Sequence, residues 1–256
     1  MKGLNVMLVD GDGLLYRVAC STGCTSAEEA EAGIDRCIRM LQRRLRAKKV
    51  IIHLSSLFKE VNRRYAIAVT QPYKGNRSLK QRPFYWNYLY NYLLDNYHCE
   101  VATIDEADDS LGIALMSYKG KEAVAVSIDK DLLQVPGLHY NQLHNVLVTS
   151  SDPGDLLIKP NNRLTGYGFK WFCAQMLLGD SCDNIKGIKG LGDIRTYKLL
   201  NPLETEEECW ELVQSIYEDE KPHRLKENAQ LLWISRKPNQ RIPTIRDVSL
   251  WEEDDA

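Results

Sequence analysis

Asp180 and Asp183 stand three residues apart in the stretch from Met176 to Leu200, MLLGDSCDNIKGIKGLGDIRTYKLL, immediately before a glycine-stepped loop. Carboxylates spaced in this way can ligate hard cations. Gly187, Gly190 and Gly192 let the main chain turn tightly and bring its N–H groups close to a phosphate. Together these residues suit a protein that holds metal ions against a nucleic-acid backbone.

More acids recur where short apolar runs end. Leu4 to Val9 reads as a buried strand that stops at Asp10, and Val50 to Leu54, Glu100 to Ile104 and Ala123 to Ile128 read as further strands. Glu106, Asp108 and Asp109 follow the third of these, and Asp129 and Asp131 follow the fourth. One Asp after a strand is commonly a helix cap, and acids in a first helical turn are favoured by the dipole. Recurrence at several strand ends needs a further reason, because gathered carboxylates repel unless cations neutralise them. Oxygen ligands without Cys or His suit Mg²⁺ or Mn²⁺, and two such ions roughly 4 Å apart can activate water for phosphodiester cleavage.

The elements that must position these groups alternate. A helical stretch follows Asp10 to about Cys20, a long amphipathic helix runs from about Ser26 to Lys49, and helices from Arg82 to Tyr97 and Ala107 to Tyr118 separate later strands. Such alternation predicts an α/β fold, a mostly parallel central sheet flanked by helices, with ligand sites at the carboxyl ends of the strands. Beyond about Gly166 helical patterns take over, at Phe169 to Leu178, Ile194 to Leu200, Glu206 to Tyr217 and Leu225 to Ile234. The expected division is 1–165, carrying the carboxylates, and 166–256, a helical lobe with an acidic tail, EEDDA.

The 256 residues, 44% of them apolar, allow one substantial core and argue against disorder. No stretch has the length of a signal h-region or a membrane span, so a cytoplasmic protein without membrane contact is expected. Seven scattered cysteines without a CxxC pair read as reduced thiols and disfavour zinc. The net charge of −2 hides an uneven spread: Lys59 to Arg82 holds seven basic residues and one acid, whereas Glu204 to Glu220 holds eight acids and no base. Tyr73, Tyr85 and Trp86 interleave with the basic run, as in surfaces that grip a nucleic-acid strand.

The motifs VDGDGLLYR (9–17), PYKGNR (72–77), DEADD (105–109), SIDKDLLQ (127–134) and LLGDSCDNIKGIKGLG (177–192) occur in the order found in the flap endonuclease and 5′-3′ exonuclease family. The resemblance is to its compact phage-type members and to the nuclease domain of bacterial DNA polymerase I, and it spans nearly the whole chain. It implies a PIN-like 5′ nuclease fold acting at the 5′ ends of duplex or flapped DNA by two-metal-ion hydrolysis. Asp10, Glu106, Asp108, Asp109, Asp129, Asp131, Asp180 and Asp183 match the family's metal-site carboxylates. Tyr73, Lys74 and Arg77 match its arch or gateway, about 59–97 here, and Arg17 matches a basic residue near the scissile phosphate. Tyr73 can stack on a base or pack as a buried aromatic. The glycine-stepped segment matches a helix-three-turn-helix element that grips duplex DNA, commonly with a potassium ion. Lys186, Gly187, Lys189, Gly190, Gly192 and Arg195 are its candidate DNA contacts, joined by Arg82 in the arch. A monomer is expected, in the host cytoplasm if the chain is phage-encoded.

One departure concerns the end of the second strand, where the family usually carries another Asp and this chain reads Ser55-Ser56. Asp12 or a water can fill that place, and the sequence leaves both open. Two rival functions follow from the residues. Asp10-Gly-Asp12-Gly13 resembles the nucleophile loop of haloacid-dehalogenase-type phosphatases, which would form an aspartyl-phosphate on Asp10. The missing acid also permits a structure-specific DNA-binding protein that no longer cleaves.

Overall fold

The computed structural model describes residues 4–22, 24–77, 81–118, 122–218 and 222–243; Lys80 and the acidic tail lie outside them. The apolar run after Leu4 forms β1 (Val6–Asp10), buried along its whole length. It pairs in parallel with β2 (Lys49–Ser55) on one side and β4 (Ala123–Val126) on the other. Next to β2 lies β3 (Cys99–Ala102), and next to β4 lies β5 (Gly137–Asn141), both parallel; β6 (Val146–Ser150) closes the edge antiparallel to β5. The order β3-β2-β1-β4-β5-β6 reverses direction of travel at β1, so the carboxyl ends of β1 and β4 flank a crevice. The hairpin β5–β6 extends the sheet beyond the strands expected from sequence.

Helices cover both faces, which is why β1 and β4 are continuously apolar. Strand alternation sends Met7 and Val9 to the face covered by α1 (Gly11–Ala19), α2 (Ala27–Leu45) and α4 (Trp86–Asn96). The stripe Ala30, Ile34, Ile38 and Leu41 fixes which side of α2 is buried, and Ser26 caps that helix through the Glu29 amide. Trp86 and Tyr90 of α4 are core residues, which withdraws Trp86 from the basic surface, whereas Tyr88 is exposed. The opposite face carries Val6 and Leu8 against Leu111 and Leu115 of α5 (Ala107–Ser117), together with Ile234. Between β2 and α4 the chain forms the short α3 (Arg63–Ile67).

A third core collects α6 (Gly168–Leu178), α7 (Asp193–Leu200), α8 (Glu206–Tyr217) and α9 (Pro222–Leu232) around Phe169, Phe172, Trp210 and Trp233. The hairpin of β7 (Leu156–Ile158) and β8 (Leu164–Gly166) packs into it, as does Tyr73. The hairpin thus belongs to the third core, and beyond α9 Ile234 packs back against the sheet. Between α6 and α7, β9 (Gly179–Asp180) and β10 (Ile185–Lys186) form a two-residue ladder that closes the turn holding Ser181 to Asn184. All seven cysteines are free thiols. Among the described residues no helix is long and apolar enough to cross a membrane.

Candidate metal centre

The carboxyl ends of β1 and β4 deliver the first ladder of acids. Asp10 caps α1: Oδ1 accepts the Gly13 amide at 2.9 Å and Oδ2 accepts the Ser127 hydroxyl at 2.7 Å. A Cβ at Gly13 would stand 2.6 Å from Asp10 Oδ2, so this turn closes on the carboxylate only because residue 13 has no side chain. Ser127 Oγ accepts the Asp129 amide at 2.9 Å, and Asp129 Oδ1 accepts the Asp131 amide at 2.8 Å. Gln175 on α6 donates to Asp131 Oδ1 at 2.7 Å, tying the ladder to the helical core. Asp180, on β9, accepts the Cys182 amide at 2.7 Å.

Charge shows that these groups share one neighbourhood. Burial drives the Asp108 carboxyl well above the usual carboxylate range, and the charges of Asp10, Asp129 and Glu106 add to it. Asp131 is raised in the same way by burial, Asp129 and Asp180. Burial also lifts Asp10, reinforced by Asp12, and Asp129, reinforced by Asp10 and then Asp180. Asp12 is raised by burial and by Glu106, against hydrogen bonds from Ser55 and the Lys74 ammonium that pull it down. The donors are hard oxygens without Cys or His, and their mutual repulsion is what a divalent cation would relieve, so the residues fit Mg²⁺ or Mn²⁺. Among the described residues no three of them close on one point as a ready-made cage.

Glu106 and Asp183 are held differently. Lys74, with φ of 53°, places Nζ 2.6 Å from Glu106 Oε1 and 3.9 Å from Asp183 Oδ2. The Tyr73 hydroxyl bridges Glu106 Oε2 and Asp183 Oδ2, each at 2.9 Å. Arg77 donates to Asp183 Oδ1 at 2.5 Å and to the Cys182 carbonyl at 3.0 Å, while Asn76 and Asn184 add cross-links between the segments. The YKGNR and GDSCDN motifs thus bind each other, a contact that neither announces in sequence. Burial alone would raise Glu106, but Lys74 and Arg64 overcome it and hold the carboxyl below its usual range. Lys74 stays cationic because Glu106 and Asp183 outweigh its desolvation.

Four expectations change. Asp109 does not face the other acids: it is fully buried, its oxygens 2.5 and 3.1 Å from the Arg64 guanidinium, and it accepts the Ser235 amide at 2.9 Å. Its Oδ2 also accepts the Glu106 amide, completing a capping box on α5. Tyr73 is 3% exposed and packs edge-on against Tyr65 at 5.4 Å, which leaves its ring no face for a base. Arg17 donates to Gln142 at 2.6 Å, and seven residues of helix set it about 10 Å along the axis from Asp10. Gly187 is a packing residue, since a Cβ there would meet the Leu178 carbonyl carbon at 2.2 Å.

The remaining candidates lie at the surface. Lys186, Lys189, Gly190, Gly192 and Arg195 are exposed, and Arg195 donates to the Gly190 carbonyl at 3.1 Å. Gly190 has φ of 86° with open space around it, and Gly192 caps α7. Arg82 lies 4.1 Å over the Trp86 ring. Three residues that sequence reasoning passed over position the acids: Ser127, Gln175 and Arg64. Ser127 opens the SIDKDLLQ motif, but nothing in the sequence marks Gln175 or Arg64, because each acts across the fold.

No family model matches the sequence. The chain is 27% identical over 202 residues to a 5′-3′ exonuclease of Buchnera aphidicola subsp. Schizaphis graminum, covering 73% of this chain and 66% of that protein. It is 26% identical over 225 residues to DNA polymerase I of Bacillus subtilis, covering 82% of this chain but 25% of the polymerase. A 5′-3′ exonuclease of Mycoplasmopsis pulmonis is 28% identical over 153 residues, 56% of this chain and 48% of that protein. The chain therefore spans between a quarter and two thirds of the length of these relatives. Among solved structures, the T5 5′-exonuclease with divalent zinc bound has a TM-score of 0.61 at 18% identity, covering 89% of each chain. The bacteriophage T5 flap endonuclease in a pseudo-enzyme-product complex with DNA and metal ions has a TM-score of 0.57 at 17% identity, covering 88% of this chain and 87% of that one. In sequence and in fold the chain is similar to the flap endonuclease and 5′-3′ exonuclease family.

Proposed function

We propose that this chain is a divalent-metal-dependent 5′ nuclease that hydrolyses phosphodiester bonds at or near the 5′ ends of duplex or flapped DNA. The observation that carries the reading is the gathering of Asp10, Asp108, Asp129, Asp131 and Asp180 at the β1/β4 crevice, with Lys74 and Arg77 clamped at its rim. The named activities of the exonuclease relatives, and the DNA and metal ions of the T5 complex, support the same reading.

Asp10, Asp108, Asp129 and, by rotation, Glu106 would hold one Mg²⁺ or Mn²⁺; Asp131, Asp180 and Asp183 would shape a second site. When bound, such a pair supplies an activated water and charge stabilisation for the leaving oxygen. Lys74 offers an ammonium that a substrate phosphate can draw away from Glu106, and Arg77 offers a guanidinium beside the same gateway. Tyr73 orients Glu106 and Asp183 through its hydroxyl and stays protonated, because burial and those carboxylates hold its phenol well above the usual range. Lys186, Lys189, Arg195 and the amides around Gly190 and Gly192 would anchor duplex phosphates as a helix-three-turn-helix element, with a potassium ion as its partner. A monomer working in the cytoplasm, the host's if the gene is a phage's, without membrane contact completes the proposal.

The phosphatase alternative is less well supported, because the named relatives are 5′-3′ exonucleases and DNA polymerase I. Incubation with a 5′-labelled flap duplex and, separately, an aryl phosphate tests the proposal. Short 5′ products in Mg²⁺ or Mn²⁺, none in EDTA, and an untouched aryl phosphate are expected. A trapped phosphoenzyme or aryl phosphate turnover would replace the nuclease with a phosphatase.

A further inference from the structure

Of the four parallel strands β1 to β4, all but β2 lead into an acid at the crevice. β1 ends in Asp10, the β3–α5 junction carries Glu106 and Asp108, and β4 leads to Asp129 and Asp131, whereas β2, between β1 and β3, ends in Ser55 and Ser56. Ser55 is fully engaged: its Oγ accepts the Ala107 amide at 3.0 Å, its carbonyl accepts the Tyr90 hydroxyl at 3.0 Å, and its amide points to Asp12 Oδ1 at 3.4 Å. The carboxylate over the end of β2 therefore comes from the first turn of α1.

A first-turn acid can serve the helix dipole alone. Asp12 is poorly placed for that role only, because Asp10 already caps α1 and lies two residues away with the same charge. Its neutral partners are both on Ser55, the hydroxyl and an amide at 3.4 Å, longer than a good hydrogen bond. Among the described residues no Lys, Arg or His stands within ion-pair distance of Asp12, although Lys74 and Glu106 both act on it through space. A part-buried carboxylate beside two others, without a cation of its own, is costly unless a cation arrives.

We infer that Asp12 is an additional ligand of the metal centre, supplying from the β1–α1 turn the carboxylate that β2 lacks. The inference rests on the metal-dependent reading above. Ser55 holds the Asp12 side chain beside the end of β2, two residues along the same turn from Asp10, where the Glu106 charge acts on it through space.

The test is Mn²⁺ binding, followed by electron paramagnetic resonance, to the full chain as wild type, Asp12→Asn and the exchanged pair Asp12→Ser with Ser55→Asp, beside melting temperatures in EDTA. Asparagine keeps an acceptor for the Ser55 amide and removes only the charge. The expected result is affinity at one Mn²⁺ site weakened by about 10-fold or more in Asp12→Asn. Its metal-free melting temperature should be unchanged or higher, and the exchanged pair should recover most of the binding. Wild-type binding of two ions that Asp12→Asn reproduces would overturn the inference and leave the nuclease reading standing. A wild type that binds no Mn²⁺ would overturn both. An Asp12→Asn protein that melts far lower in EDTA, with no recovery in the exchanged pair, would assign Asp12 to folding and also overturn the inference.

Discussion

Asp109→Asn separates a metal ligand from a structural ion pair. Asp109 is wholly buried, forms two contacts with a guanidinium that is itself 3% exposed, and accepts the Ser235 and Glu106 amides. Asparagine keeps roughly the same shape but leaves the Arg64 charge without its nearest counter-ion. Breaking one side of a buried pair costs about 3–5 kcal/mol. For a chain of this size that lowers the melting temperature by roughly 6–20 °C. The pH dependence follows from the charge. Arg64 outweighs burial and holds the Asp109 carboxyl below its usual range, so its contribution is complete above the unfolded value near pH 4 and fades as pH falls through the lower folded value. Urea unfolding followed by circular dichroism should show the gap between wild type and variant closing below about pH 4. Mn²⁺ stoichiometry should not change. A variant that loses less than about 1 kcal/mol yet loses a bound ion would refute the assignment.

The other acids and bases give contrasting outcomes. Lys74→Ala should slow single-turnover cleavage by roughly 100-fold or more, read by quenched flow on a flap substrate; an unchanged rate would remove Lys74 from the phosphate. Asp108→Asn should raise the melting temperature in EDTA at pH 8 by a few degrees, because its raised carboxyl makes the ionised form costly. That gain should vanish below about pH 4, where the wild-type carboxyl is protonated in both states, and a variant that melts lower at pH 8 would contradict the crowding. Lys189→Ala should reduce the slope of log affinity against log salt for duplex DNA by about 0.9, and an unaltered slope would take Lys189 off the duplex.

Most of the sheet and the main helices could be read from the chain because apolar runs ended at acids and Ser26 marked the start of α2. The β5–β6 hairpin was harder, since its strands are short and its turn depends on Asn141 accepting the Leu143 and His144 amides and on Asn145 at φ of 56°. The motifs identified the acids but not their directions. Asp108 and Asp109 are adjacent in one helical turn, and what separates them is Arg64, a partner 45 residues away on a five-residue helix. Tyr73 illustrates the same gap: sequence permits base stacking or burial, and the contact with Tyr65 together with the third core decides for burial. Asp12 was visible as the second acid of an Asp-Gly-Asp turn, yet its relation to Ser55 depends on how β1 and β2 align, with Asp10 opposite His53.

The central claim is tested most directly by single-turnover cleavage of a 5′-labelled flap duplex by wild type and Asp131→Ala, across Mg²⁺ and Mn²⁺ concentrations. The account predicts metal-dependent release of short 5′ products by the wild type, abolished in EDTA and lost in the variant because Asp131 joins the β4 ladder to the second site. A wild type that binds the flap but releases no product in either metal would contradict it and leave a DNA-binding protein built on a nuclease fold.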